Sequence, residues 1–234
     1  STLAFGAEAG DAAWLAEAWL LPLALLTIVI GMVGALAARS LRWLVAFGVI
    51  GSMGTLLVAV AVFEEKAMAG ALYYLLHSTL IGAALFLLAE LVAERRGQDG
   101  DSLGLKPLPA QSDLMSGLFF LAGLAMAGLP PLSGFIGKLL ILDGVRDNGS
   151  APLIWATILI TSLLLIVAAA RAGSLVFWKS RAIEATSESQ ELAERRYPAL
   201  PIVVVAALIA STALLTAFAG PVMTYLEAAT DQLF

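Results

Sequence analysis

The sequence predicts an all-α, polytopic integral membrane helix bundle of about six transmembrane helices, one of them broken. Three observations predict it. Of 234 residues, 60% are hydrophobic and 13% charged, a balance that soluble globular domains do not carry. Charge-free runs recur at 20–38, 43–63, 67–89, 114–137, 151–170 and 197–226. Each is near or above the ~18–20 residues that a helix needs to cross about 30 Å of hydrocarbon, and soluble folds seldom offer six such runs. The third observation is a pair of adjacent prolines, Pro130 and Pro131, set in the middle of the fourth run.

Taken in order, the membrane elements are expected at 20–38, 41–63, 67–94, 114–145 with a break near 129–133, 151–178 and 198–228. Lysine and arginine orient them, because cytoplasmic loops retain basic residues. Arg39 and Arg42 flank the first connection, Arg95, Arg96 and Lys106 the third, and Lys179, Arg181, Arg195 and Arg196 the fifth, with Arg171 leading to it. The other side carries only Lys66 and Arg146. Both termini are therefore expected outside and the connections 95–113 and 179–197 in the cytoplasm, in a multi-pass protein of the cell's inner membrane. Residues 1–19 read as an outer segment in which Trp14 and Trp19 favour the interface, and 198–234 as the last helix with an outer C-terminus. Ser1 opens a polar, acidic stretch without a signal-peptide pattern, so the chain is expected to begin partway through a longer protein. Gly31, Gly34, Gly48, Gly51 and Gly54 recur at spacings that let helices approach closely.

Composition also excludes functions. With no cysteine there are no disulfides, thiolate nucleophiles or cysteine-bound metals, and a single histidine argues against a metal site. A net charge of −5 without a basic patch argues against nucleic acid as a partner.

The fourth element carries the chemistry. Pro130 and Pro131 remove backbone donors and clash with the preceding turn, while Gly128 and Gly134 relax the local geometry and Ser133 sits between them. The helix is expected to break, and uncapped backbone at membrane depth is tolerated only within protein or beside a hydrated cavity. Discontinuous helices of this kind build ion sites in transporters. Lys138 follows the break by one turn, about 12 Å inside the boundary counted from Arg146, which is deep for snorkelling. There the positive end of a new half-helix and the scarcity of water both act on its ammonium, so the side chain can load and release a proton. The plainer reading is a structural lysine paired with Asp143.

The same depth count places other polar residues in a layer. Ser52, His77, Ser78, Thr161 and Ser162 each fall on the order of 15 Å deep, and Tyr74 lies one turn from His77 and Ser78. If these faces converge, they form a lateral polar path ending at Lys138. Each hydroxyl taken alone is better explained by a bond to its own helix backbone. His77 titrates ordinarily near neutral pH, which suits proton relay, although a lone histidine can also be a neutral bridge between helices.

At these residues the chain resembles a known group. The segment GLFFLAGLAMAGLPPLSGFIGK at 117–138 is similar to the broken-helix signature of antiporter-like subunits shared by respiratory complex I and multisubunit Mrp-type cation/proton antiporters. The segments LYYLLHSTLIGAALFL at 72–87 and ELVAERRG at 90–97 most resemble the D subunit of the Mrp type. The resemblance implies that 20–178 is the second of two inverted five-helix repeats, that Lys138 is its proton-exchanging lysine, and that the first repeat is missing. It further implies exchange of H+ for Na+ or another monovalent cation, no cofactor, and other antiporter subunits as partners. The same likeness allows a proton-pumping subunit of complex I or of a membrane-bound hydrogenase. Complex I members commonly carry a lysine four residues after the histidine, where this chain has Ile81, and that favours the Mrp type. From another class, an intramembrane serine hydrolase would use Ser133 and His77, but Ser133 lacks a nucleophile-elbow context. A purely structural scaffold would tolerate neutral substitution of both Lys138 and His77.

Overall fold

The computed structural model describes residues 19–108, 111–183, 190–191 and 197–231. Trp14, Arg195 and Arg196, with the parts of 1–19 and 179–197 around them, lie outside the described residues. Among the described residues the bundle is built from eight α-helices: α1 Leu21–Ala37, α2 Leu41–Val62, α3 Glu65–Arg96, α4 Ser112–Ala127, α5 Ser133–Gly144, α6 Ala151–Gly173, α7 Leu200–Ala217 and α8 Ala219–Thr230. A π turn, Ser174–Trp178, and a 3-10 turn, Lys179–Ala182, prolong α6. Among the described residues there is no strand, only an isolated bridge between Ser40 and Ser102.

Local chemistry sets the ends of these helices. Pro22, Pro152 and Pro201 fall in the first turns of α1, α6 and α7, where a missing N–H costs nothing. The Ser40 hydroxyl accepts from Trp43 N at 3.3 Å and caps α2, satisfying one of its orphan donors. Helix α3 has 32 residues, about 48 Å of rise, and outlasts the 67–94 expected for it because Glu65, Arg95 and Arg96 continue the ladder at both ends.

The chain zigzags, and α3 is its hub. Helices α2, α4, α5, α7 and α8 all pack on α3, while α1 lies against α2 and α6. Contacts between α1 and α2 are closest at glycine: a Cβ on Gly31 would run into the Gly51 backbone, and one on Gly54 into Ile28 and Ala24. The outward faces of α1, α6 and α7 are apolar, with Leu26, Val33, Leu159, Leu163 and Val203 all exposed, as in a protein whose solvent is lipid. Helices α2, α3, α6 and α7 are individually long and apolar enough to cross a membrane, and α1 and α4 are shorter apolar helices.

Basic residues gather at one end of the bundle and are more ordered than a connector would be. Arg171 on α6 donates to the carbonyls of Leu36 and Ala38 at 3.0 and 2.7 Å, capping α1 across the bundle. Arg95 is buried, with its guanidinium 4.3 Å from the centre of the Tyr197 ring. Arg96 holds the carbonyl of Ser102 at 2.9 Å. The loop after α3 thereby docks on the α1–α2 turn, where Leu41 N donates to Asp101 O at 2.9 Å and Leu103 N to Arg39 O at 2.8 Å.

One expected element differs. The last element, read as 198–228, is two helices that part at Phe218. Its ladder ends with Phe218 N on Leu214 O, and Gly220 and Pro221 follow at once. The Leu215 carbonyl instead accepts the Tyr73 hydroxyl at 2.9 Å.

Candidate proton-exchange site

The site is built on the gap between α4 and α5. Gly128 ends α4 at φ +79°, Leu129 N donates to Leu124 O at 3.0 Å and Gly128 N to Ala125 O at 3.0 Å. This is a Schellman closure, and its left-handed position favours glycine. Pro130 and Pro131 cannot donate, so the chain runs on unladdered until Leu132, whose carbonyl accepts from Phe135 N at 3.0 Å as α5 begins. The closure leaves the Ala127 carbonyl free.

Lys138 takes that carbonyl. Its side chain is buried and folds back across the gap, so that Nζ lies 2.8 Å from Ala127 O and 2.9 Å from Ser162 Oγ on α6. The fold-back passes directly over Gly128, where an added Cβ would sit 2.9 Å from Lys138 Cδ and 3.1 Å from Nζ. Gly128 is thus favoured by its φ, and its lack of a Cβ leaves room for the lysine above it. Asp143, the other candidate partner for Lys138, bonds Arg146 instead at 3.5 Å.

His77 crosses the same gap from α3. Its Nδ1 lies 2.8 Å from Ser133 Oγ, at the start of α5, and its Nε2 lies 3.1 Å from Ala125 O, in the last turn of α4. A carbonyl only accepts, so Nε2 carries a proton and donates, and in the neutral ring Nδ1 accepts from the Ser133 hydroxyl. The protonated ring would donate to both. Gly134 makes room for it, since a Cβ there would collide with the imidazole and with Ala125 O.

The other candidate residues divide. Tyr74 and His77 stack with ring centroids 5.9 Å apart, and the Tyr74 hydroxyl is 3.1 Å from Ser52 Oγ on α2. Ser52 with Tyr74 and His77 with Ser133 are two hydrogen-bonded pairs that meet at the Tyr74–His77 ring stack, and Lys138 with Ser162 is a third; His77 and Lys138 end on carbonyls of the same helical turn, Ala125 O and Ala127 O. Thr161 does not join any of these pairs, because its hydroxyl returns to Thr157 O and Ile158 O of its own helix. Ser78 is buried next to His77, and among the described residues it makes no hydrogen bond to the other members. Sequence reasoning missed Ala125 and Ala127, whose backbone oxygens have no residue-type signal.

Ser133 and His77 do approach as a serine–histidine pair, yet the second ring nitrogen faces a carbonyl where a hydrolase places an orienting carboxylate. Ser133 is also fully buried. Among the described residues no group of three or more His, Asp or Glu could hold a metal ion.

Residues 7–165 match the family described as NADH:quinone oxidoreductase/Mrp antiporter, TM. The chain belongs to that family. It is 34% identical over 259 residues to the D subunit of a probable K+/H+ antiporter of Rhizobium meliloti (strain 1021), covering 99% of this chain and 46% of that protein. It is 36% identical over 159 residues to the D subunit of the Na+/H+ antiporter of Bacillus subtilis (strain 168), covering 67% of this chain and 31% of the relative. Among solved structures, a chain of respiratory complex I from Thermus thermophilus with bound NADH superposes with a TM-score of 0.76 at 27% identity, covering 94% of this chain and 45% of that one. The chain thus spans less than half the length of these matches, and over that length it is an antiporter-like, multi-pass membrane bundle.

Proposed function

We propose that this chain is the second-repeat half of the D subunit of a multisubunit antiporter that exchanges H+ for a monovalent cation, Na+ first among them. Lys138 is the group that exchanges protons and His77 the group that relays them. The observation that carries this reading is the pair of bonds at Lys138 Nζ, to Ala127 O and Ser162 Oγ. Both partners serve either protonation state. The ammonium donates to the carbonyl and the hydroxyl, whereas the neutral amine donates to the carbonyl and accepts from the hydroxyl, which can rotate. In both states Nζ, the carbonyl and the hydroxyl each keep a partner, so the proton can leave without the structure rearranging. His77 is built alike: the ring nitrogen facing Ser133 accepts or donates as the ring changes charge.

The basic end of the bundle faces the cytoplasm on this reading, by the rule that inner loops hold lysine and arginine, and the end of α8 at Thr230 lies outside. The cation is Na+ or K+, both of which appear in the names of the relatives, and the remaining antiporter subunits and the first repeat complete the path.

In everted vesicles carrying the whole complex, Lys138→Ala abolishes cation-induced proton movement while the complex still assembles. Full antiport by that variant would overturn the assignment. The likeness to a complex I chain supports a second reading, a redox-driven proton-pumping subunit. Flavin and iron–sulfur proteins copurifying with the chain would favour it, and small hydrophobic subunits alone would favour the antiporter.

A further inference from the structure

A groove of about 590 Å³ runs between α4 and the basic-end half of α6, within the ~300–1,000 Å³ of built ligand pockets. Its walls are apolar, with Phe120, Gly123 and Leu124 on α4 facing Ile166, Ala170 and Phe177 on α6. It begins at Ala127 and Leu129, beside the helix break, and opens at Trp178 and Arg181. Phe120 and Trp178 are 64% and 78% exposed, so the groove is open on its outer side to whatever surrounds the bundle at membrane depth.

We infer that this groove holds an acyl chain of an anionic phospholipid, with the headgroup phosphate bound by Arg181 and Lys179 at its mouth. Length and polarity match that ligand: a long apolar slot leads from mid-bundle to a charged rim. Trp178 stands at the rim, where indole marks the headgroup level. The rim is basic: Arg181 lines the mouth and is ion-paired with Asp113, and the exposed Lys179 follows Trp178 in the chain. Basic pockets between transmembrane helices at such an end select phosphate headgroups. Polar groups in the slot are few: the Ser116 hydroxyl at its lip donates to Asp113 O at 2.9 Å, and Ser174 lies on the α6 side. A saturated chain needs no such partner. Gly117 hollows the groove further: a Cβ there meets no atom within 4 Å, so a side chain can be added without disturbing the fold.

The test uses the whole complex reconstituted with phosphatidylglycerol bearing a diazirine in its acyl chain, or with the matching phosphatidylcholine, followed by mapping of the crosslinked peptides. Phosphatidylglycerol should label the peptides of α4 and α6 that line the groove, and phosphatidylcholine should label them weakly. Gly117→Leu narrows the slot and should reduce the label. Lys179→Ala with Arg181→Ala should weaken it about thirtyfold, from the loss of two basic residues at the headgroup level. Asp113→Asn breaks the same ion pair yet should raise it, which separates headgroup binding from a merely structural role for Arg181. Equal labelling by both lipids, undiminished labelling of Gly117→Leu, or a polypeptide segment seen in the groove by electron cryomicroscopy of the complex would overturn the proposal.

Discussion

Two helices in this bundle are broken, and they are healed differently. At the α4–α5 gap the freed Ala127 carbonyl is met by the Lys138 amine, and the His77 imidazole adds a second donor to Ala125 O. At the α7–α8 gap it is met by a phenol, Tyr73 on Leu215 O. Both solutions satisfy the rule that a carbonyl inside a membrane needs a donor. They differ in what the donor can do next. A phenol keeps its proton at any physiological pH, so Tyr73 only closes the structure. Lysine and histidine can release theirs, and each has a hydroxyl at hand, Ser162 or Ser133, able to reverse its bond. A break becomes a proton site through the residue that heals it, and the comparison predicts unequal effects of substitution at the two gaps.

After the loss of Lys138 itself, the largest effect is expected at Gly128. Alanine there incurs about 1–2 kcal/mol for the left-handed backbone and collides with the folded-back lysine, so the ammonium is displaced with no change in its chemistry. Misplacement by about 1 Å is enough to cost roughly a hundredfold in rate. Gly128→Ala should therefore lower antiport nearly as far as Lys138→Ala, with the complex assembled, as measured by cation-induced dequenching in vesicles. Near-normal antiport would show that the position of Lys138 is not what matters at this gap.

Ser162→Ala comes next. It removes one of the two partners of Lys138 Nζ and leaves Ala127 O in place. A hydrogen bond to a charged group contributes about 1.5–3 kcal/mol, so antiport should fall by about tenfold or somewhat more, with Ser162→Thr restoring most of it. A loss that threonine did not rescue would point to packing instead of the hydroxyl.

How much of this was legible beforehand follows from the kind of signal each residue leaves. The prolines and glycines at 128–134 act on their own backbone, so the break could be read in place, and the depth of Lys138 followed by counting. Partners could not be counted. Helices that are apolar all round carry no stripe to set their rotation, so depth placed Thr161 and Ser162 together while only rotation separates them: Ser162 faces the lysine and Thr161 its own backbone. His77 was visible as a lone intramembrane imidazole, but its two partners, a carbonyl and Ser133, depend on how α3 lies against both half-helices. The second break did leave a signal, Gly220 followed by Pro221, which a continuous apolar run concealed. Arg95 and Arg96 read as the start of a cytoplasmic connection and are buried, because the loop they anchor folds back over them.

At the second gap the expected effect is on stability. Tyr73→Phe removes the hydroxyl and strands the Leu215 carbonyl, at about 1–3 kcal/mol for a buried group left unsatisfied. The melting temperature of the purified complex should drop, while antiport per assembled complex stays as in the parent. A selective loss of antiport with unchanged stability would break the distinction between the two gaps, since it would give the phenol a part in proton movement.

Thr161→Val should do the least, and it is the sharpest control for the path. Thr161 lies at the same depth as Ser162 and is buried, so depth and polarity alone would include it. Its hydroxyl, however, is committed to Thr157 O and Ile158 O, a back-bond that adds little to a helix whose ladder is already complete. Valine keeps the volume and branching and removes only that bond. Antiport and melting temperature should both match the parent, against the roughly tenfold loss expected one residue away. A comparable loss at Thr161 would mean that its hydroxyl turns toward Lys138 during transport, and the polar contacts of Lys138 would then extend along α6 beyond Ser162.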